Sequence, residues 1–280
     1  MGSRANSGRA LVFSHIPKTA GTSLNLFLRA NFGSQLLAAR ARSGTGAHKG
    51  AYTSTDYEKD KWVYRRARCI SGHDVKPWVD FGENENHFAW FTFLRNPQKR
   101  FVSLYVHQQT NGIAEHKMDL LDWSARFDRS DGMVKMIAGE KSLDKAIEIL
   151  ETKVEFVGLT ERYDESLKML VAHFGLKNMT VDNSTVMMKS RASGIAESIF
   201  GDLEKYGECL EQNNLLDQRL YQYVVDRIWS RQEQTLVAGQ AYVDSMIEKT
   251  IANPNRHPGY LGFQLKEKLV YRSLLRLGIL

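Results

Sequence analysis

Two short segments of this chain gather residue types that suit an anion. In the first, His15-Ile16-Pro17-Lys18-Thr19-Ala20-Gly21-Thr22-Ser23, small residues follow a lysine between an apolar run and the start of a helical spacing. Such a loop can bring backbone amides close to an anion at a helix N-terminus, where unsatisfied N–H groups and the helix dipole favour negative charge. Lys18 adds a full charge, and Thr19, Thr22 and Ser23 add hydroxyl donors. The structural alternative is a turn made by Pro17 and Gly21 with Thr22 or Ser23 capping a helix; a lysine within the turn argues against it. A nucleoside triphosphatase loop needs Gly-Lys-Ser/Thr at its end, whereas here the lysine precedes the glycine.

The second segment is Phe91-Thr92-Phe93-Leu94-Arg95-Asn96-Pro97-Gln98-Lys99-Arg100-Phe101-Val102-Ser103-Leu104-Tyr105. Arg95 follows a nearly continuous apolar run, Phe88 to Leu94, of the kind buried on both faces of a parallel sheet. Ligands of open parallel sheets bind beyond that end of the strands. Ser103, two residues past Phe101, points away from the apolar face of the helix that comes after the strand, and a guanidinium with a hydroxyl makes a good donor pair for a phosphate. The buried strand ends in arginine and not in an aspartate placed to hold magnesium. The pair of segments therefore predicts an anion site without a metal.

Two of the histidines near these segments could serve as a base at neutral pH. His73, in Ser71-Gly72-His73-Asp74 after a second short strand, should reach the same crevice; a turn histidine with Asp74 as a cap is the competing reading. His15, at the end of the first strand, is the reserve base or an orienter of the loop. His107, with helical neighbours Leu104 and Gln108, reads as a partly buried structural residue. Lys189, Ser190 and Arg191 fall in a stretch from Thr180 to Gly194 with neither helical nor strand period, so a long loop is expected there, solvated or able to close over a nucleotide.

The elements that must position these groups alternate. Ala10 to Ser14, Arg68 to Ser71, Phe88 to Leu94 and Val154 to Leu159 read as strands. Leu24-Phe27-Leu28, Phe101-Leu104-Tyr105, Leu143-Ile147-Leu150 and Leu167-Leu170-Val171-Phe174 carry helical spacing, with Pro97 suited to a first turn. That order predicts an α/β fold, a P-loop-like three-layer core with a parallel sheet flanked by helices. Leu216, Leu220, Tyr223, Val224 and Ile228 continue at helical spacing, so residues from about 200 to 280 are expected to be a helical elaboration packed on that core. The whole, 1–280, reads as one domain with a flexible N-terminus over 1–9.

Composition narrows the class. The chain has 280 residues, 42% apolar and 25% charged, with a net charge of +6, ordinary for a globular protein and adverse to disorder. The charge favours an anionic ligand without separating nucleotide, nucleic acid and charged glycan. Basic residues cluster from Arg40 to Arg68, where a solvated surface is the simplest reading. Cys69 and Cys209 make no disulfide framework, which suits a reducing compartment. No run approaches the ~20 apolar residues of a membrane span. Asn178 and Asn183 head glycosylation triplets that arise readily by chance.

On these residues the chain resembles the cytosolic and Golgi sulfotransferases, most of all the carbohydrate branch related to heparan sulfate 2-O-sulfotransferase and its bacterial relatives. Pro17 through Ser23 looks like that family's 5′-phosphosulfate loop, and Arg95 with Ser103 like its 3′-phosphate motif. Phe156 to Leu167 and Asn214 to Tyr221 are similar to segments recurring in the carbohydrate enzymes. Asn96 departs from the aspartate often found after the arginine. The resemblance implies a donor, 3′-phosphoadenosine 5′-phosphosulfate (PAPS, leaving as PAP), no metal, and a hydroxyl acceptor on a glycan or glycolipid. It implies Lys18 at the leaving 5′-phosphate and His73 as base, with no nucleic-acid partner. A soluble cytoplasmic enzyme such as a bacterial one is expected, with a trimmed Golgi luminal domain as the alternative. Other readings remain open: a P-loop kinase or NTPase-like phosphotransferase, a non-catalytic nucleotide- or glycan-binding module, and peripheral membrane contact through the leucines and basic residues from Leu261 to Leu280.

Overall fold

The computed structural model describes residues 8–111, 118–126, 128–176, 189–237 and 258–276. Five strands, β1 (Ala10–Ser14), β2 (Leu36–Ala38), β3 (Cys69–Gly72), β4 (Phe88–Leu94) and β5 (Val154–Leu159), form one sheet in the order β2-β3-β1-β4-β5. Every pairing is parallel, with Val12 opposite Ile70 on one side and Trp90 on the other. All seven residues of β4 are buried, as a strand covered on both faces requires. The expected α/β class is the observed one. β2 escaped the sequence reading because three residues, Leu36-Leu37-Ala38, are too short to show a period.

Helices α1 (Gly21–Phe32), α2 (Ser54–Lys61), α3 (Pro97–Thr110), α4 (Leu120–Arg126), α5 (Gly132–Ala138), α6 (Leu143–Thr152) and α7 (Tyr163–Phe174) connect and cover the strands. Pro97 stands in the first turn of α3, and the Asn96 side chain caps that helix by accepting from the Lys99 amide at 3.1 Å. An aspartate would cap equally well, so Asn96 is a substitution the local structure absorbs. The chain leaves β1 toward β2 and leaves β4 toward β5. The carboxyl ends of the adjacent strands β1 and β4 therefore flank a crevice at the point where the topology reverses, the preferred ligand position in open α/β sheets.

Helices dominate the described residues after Phe174: α8 (Lys189–Gly201), α9 (Leu203–Gln212), α10 (Leu215–Tyr223) with a π-helical turn Val224–Trp229, α11 (Ser230–Val237), and α12 (Pro258–Leu265) with a second π-helical turn Lys266–Tyr271. Ile199 and Leu210 join Phe101 and Trp123 in a small core beside α3, while Val224, Trp229, Phe263 and Tyr271 belong to the main core around the sheet. The long loop expected from Thr180 to Gly194 is corrected in part: Lys189, Ser190 and Arg191 begin α8. Residues 180–188, Asn178, Asn183, residues 1–7 of the expected flexible N-terminus and residues 277–280 lie outside the described residues.

Two buried polar networks fasten the helices. Asp217 of α10 accepts from the Met133 and Val134 amides at the start of α5, at 3.0 and 2.8 Å, while Asp131 accepts from the Leu216 and Asp217 amides at the start of α10. Each carboxylate thus caps the other's helix, and Arg100 pairs with Asp217 at 3.4 Å. In the second, the buried Asp60 carboxylate accepts from Arg42 at 2.7 Å and Tyr52 at 2.8 Å, and Tyr271 ties the C-terminal helix to the same group. Arg40 reaches buried Glu267. The basic cluster is therefore only partly a solvated surface, because Arg42 is an internal tie and the half-exposed Arg40 holds the buried Glu267, while Arg65 and Arg66 are exposed.

Candidate functional site

The loop after β1 is shaped by backbone that side chains resist. Lys18 and Ala20 both have positive φ, 72° and 64°, a region that costs a non-glycine residue on the order of 1–2 kcal/mol. Three bonds hold it: Thr19, fully buried, donates its hydroxyl to the Ile16 carbonyl at 2.9 Å; Arg95 at the end of β4 donates to the Lys18 carbonyl at 3.1 Å; and Thr92 donates to the Ser14 carbonyl at 2.8 Å. α1 then starts at Gly21, with Ala20 in the capping position offering no side-chain cap and with no acidic residue in the first turn. Neither Thr22 nor Ser23 fills the capping role, so the first-turn N–H groups stay available to an outside acceptor. Twisted backbone beside an uncapped helix start is the form of an anion nest.

Around this nest the cations lack counter-charges. Lys18 and Arg95 form no ion pair among the described residues, and burial, then the neighbouring Arg95, lowers the Lys18 ammonium from its ordinary value. Burial also lowers the Arg95 guanidinium, which Glu161 partly opposes. Glu161 itself is engaged elsewhere, accepting from the Asn96 amide at 3.0 Å and the Tyr221 hydroxyl at 3.0 Å. Those contacts bring Asn96, the segment from Phe156 and the segment from Asn214 to one place. Ser103, half-buried on α3, lies two turns beyond Arg95 along the chain.

His15 and His73 come together. Their rings stack at 3.9 Å between centroids, and the two play different parts. His15 packs so tightly on Gly21 that a Cβ there would sit 1.5 Å from its Nε2, which is why position 21 must be glycine. Asn25, one turn into α1, donates to the Gly21 carbonyl at 2.8 Å and to His15 Nδ1 at 3.4 Å, while accepting from Ser71 at 2.7 Å. Burial first, then the charges of His73 and Lys18, lowers His15 to about 3, so it is neutral near pH 7. His73 is exposed, and its Nδ1 lies 2.9 Å from the His15 carbonyl. A carbonyl can only accept, so Nδ1 carries the proton and the neutral ring keeps its Nε2 lone pair free. Asp74 does not cap the turn; it accepts from the Ala41 amide at 2.9 Å and fixes the stretch after β2.

His107 is corrected from a partly buried structural residue to an exposed one on the crevice side. Partial desolvation, then the charges of Lys18 and His73, lowers it from its ordinary value, which places it in their company. The signal was present in the spacing, since residues 103 and 107 share a helix face. Asn25 left no comparable signal, because its role depends on a ring folded back from ten residues earlier. Among the described residues no group of three His, Cys, Asp or Glu could hold a metal ion.

Residues 5–138 match the model of the sulfotransferase family, a stretch that carries β1 to β4, the Lys18 loop, His73, Arg95 and Ser103. The match covers a little under half of the chain and, with the fold, supports the sulfotransferase superfamily, whose general chemistry is transfer of a sulfuryl group from a sulfonate donor to a hydroxyl-bearing acceptor. No curated protein matches the chain. Among the described residues no helix is long and apolar enough to cross a membrane.

Proposed function

We propose that this chain transfers the sulfuryl group of PAPS to a hydroxyl of a carbohydrate or glycolipid, with His73 as the base. The observation that carries the reading is the 2.9 Å approach of His73 Nδ1 to the His15 carbonyl, from which the tautomer follows. The His15 carbonyl holds the proton on Nδ1, and Nε2 is left as an acceptor beside the Lys18 loop. The residues present fit the donor. Pro17 to Ser23 would hold the 5′-phosphosulfate through backbone N–H groups, the Lys18 ammonium and the hydroxyls of Thr22 and Ser23, and Arg95 with Ser103 would hold the 3′-phosphate. The donor supplies a sulfuryl group on a good leaving group.

In the transfer, the acceptor oxygen forms a bond to sulfur as the bond from sulfur to the 5′-phosphate oxygen breaks. The hydroxyl proton passes to His73 Nε2. Lys18 stabilises charge developing on the departing oxygen, a preorganised electrostatic role, and does so without a metal. His15, neutral and packed on Gly21, positions His73 and the loop and takes no proton. Support for a sugar acceptor is the likeness of the segments from Phe156 and Asn214 to the carbohydrate branch. The two free cysteines suit a reducing, cytoplasmic setting.

Calorimetric binding of adenosine 3′,5′-bisphosphate without magnesium tests the donor site. Magnesium-independent binding to the wild type, weakened in both Lys18→Ala and Arg95→Ala, is expected. No binding, or a preference for ATP with magnesium, would sink the reading in favour of a phosphotransferase.

A further inference from the structure

The end of the sheet opposite the crevice carries a cationic cleft of its own. The chain turns through Gly33–Gln35 before β2 and passes from Val63 to Arg68 before β3, and α12 with the π-helical turn after it packs beside these approaches. Ser34, Gln35, Val63, Arg65, Arg66 and Lys266 line an open cleft of about 730 Å³. Lys266 is held in place, donating to the Ser34 carbonyl at 3.0 Å with its ammonium 4.2 Å from the centroid of the Tyr64 ring. Arg65 and Arg66 are exposed, and neither side chain has an ion pair or hydrogen bond among the described residues. Among the described residues no carboxylate lines the cleft.

Large apolar side chains on the two segments that supply these cations are exposed. Trp62, next to Val63 in the cleft wall, is 66% exposed, and Leu265 and Leu269 are 60% and 68% exposed. They are not leftovers of a poorly packed helix. Phe263, Glu267 and Tyr271, spaced four apart, are buried toward the body, so Leu265 and Leu269 lie on the outward face, where a helix on a soluble surface carries polar residues.

We infer that this end of the molecule docks on an anionic lipid bilayer. Phosphate-bearing headgroups enter the cleft between Arg65, Arg66 and Lys266, while Trp62, Leu265 and Leu269 enter the interfacial region. The charge of the cleft complements an anionic surface, and an apolar stripe flanked by basic residues is the form of an interfacial helix. An exposed tryptophan is at home at that depth. A soluble polyanion such as an acidic glycan would satisfy the arginines but offers nothing to the leucines. Docking by this end leaves the crevice at the carboxyl ends of β1 and β4 facing water. The inference stands apart from the assignment of donor and base.

Sedimentation of the full chain with vesicles tests it, using phosphatidylcholine alone and phosphatidylcholine mixed with phosphatidylglycerol. Retention by the mixed vesicles only is expected, falling as salt rises. Arg65→Ser with Arg66→Ser should weaken retention by roughly 25-fold, about fivefold per basic residue. Trp62→Ser with Leu265→Ser and Leu269→Ser should weaken it at least as much, with unchanged melting by circular dichroism because all three are exposed. No binding to either vesicle, equal binding to both, or indifference to either variant overturns the inference. So does capture by immobilised heparin or competition by inorganic phosphate that depends on the arginines and ignores the apolar triple, which would mark a soluble anion site.

Discussion

Lys18 and Arg95 at the carboxyl end of the sheet, and Arg42 and Arg100 within its flanks, are cations taken partly or wholly out of water, yet their surroundings differ in kind. Arg100 meets Asp217 and Arg42 meets Asp60, carboxylates that are fully buried. Lys18 and Arg95 meet a carbonyl, each other's field and an uncapped helix start. A buried cation with its counter-charge fastens elements together. One without it is suited to an anion that arrives from outside, and the difference lies in the missing carboxylate, because burial lowers the proton affinity of Arg100 as well as that of Lys18 and Arg95.

Substitution should separate the two kinds. His73→Ala is expected to lower transfer by about a hundred- to ten-thousandfold, the usual worth of a positioned base, and Lys18→Ala by about a hundred- to a thousandfold. Neither should move the urea midpoint much, since His73 is exposed and removing Lys18 relieves a cation of its like-charged neighbour. Transfer rates by isotope incorporation and denaturation curves on the same preparations provide the check. A large loss of stability in either variant would mean that these residues belong with the fastening group.

Asp217→Ala should do the reverse. It strands Arg100 in the interior and leaves the Met133 and Val134 amides without their acceptor, and removing one partner of a buried pair costs about 3–5 kcal/mol. Denaturation should show that loss, while activity per folded molecule stays close to normal. Asp217→Asn sharpens the comparison, because it removes the charge while keeping an acceptor for one of the two amides, which bond to different carboxylate oxygens; a loss smaller than that of Asp217→Ala is expected. Stability unchanged in both variants would show that the reciprocal capping does not fasten α5 to α10.

How much of the molecule is legible in its sequence depends on the range of the interactions. Strands β1, β4 and β5 and the helix after Pro97 could be read because apolar period and proline position act within a few residues. The nest could be read because lysine, threonine and glycine types sit side by side in one loop. β2 was too short to show a period, and the start of α8 was hidden in a polar stretch whose helix form its composition did not announce. Arg42 looked like surface because its partners, Asp60 and Tyr271, lie 18 and 229 residues away. The division of labour between His15 and His73 was equally out of reach, since it rests on a carbonyl and on Asn25 approaching from different elements.

That division can be tested by titration. Burial, then His73 and Lys18, holds His15 at about 3 in the folded chain, against about 6.5 in an unfolded one. Above pH 6.5 neither state binds a proton at this ring, so it adds no pH dependence there. As pH falls from 6.5 toward 3 the unfolded chain takes up a proton that the folded chain refuses, and stability drops by at most about 1.4 kcal/mol per pH unit, levelling below the folded value. Carboxylates such as Asp56, held below their ordinary range by hydrogen bonds from Ser43 and Thr53 against the opposing effect of burial, add acid sensitivity of their own. The quantity to compare is therefore the difference between wild type and His15→Gln, which keeps a neutral side chain at every pH. The two stability curves should converge as pH falls from 6.5, with the wild type losing more. Curves that stay parallel would mean that His15 titrates freely, and would return it to the role of a base beside His73.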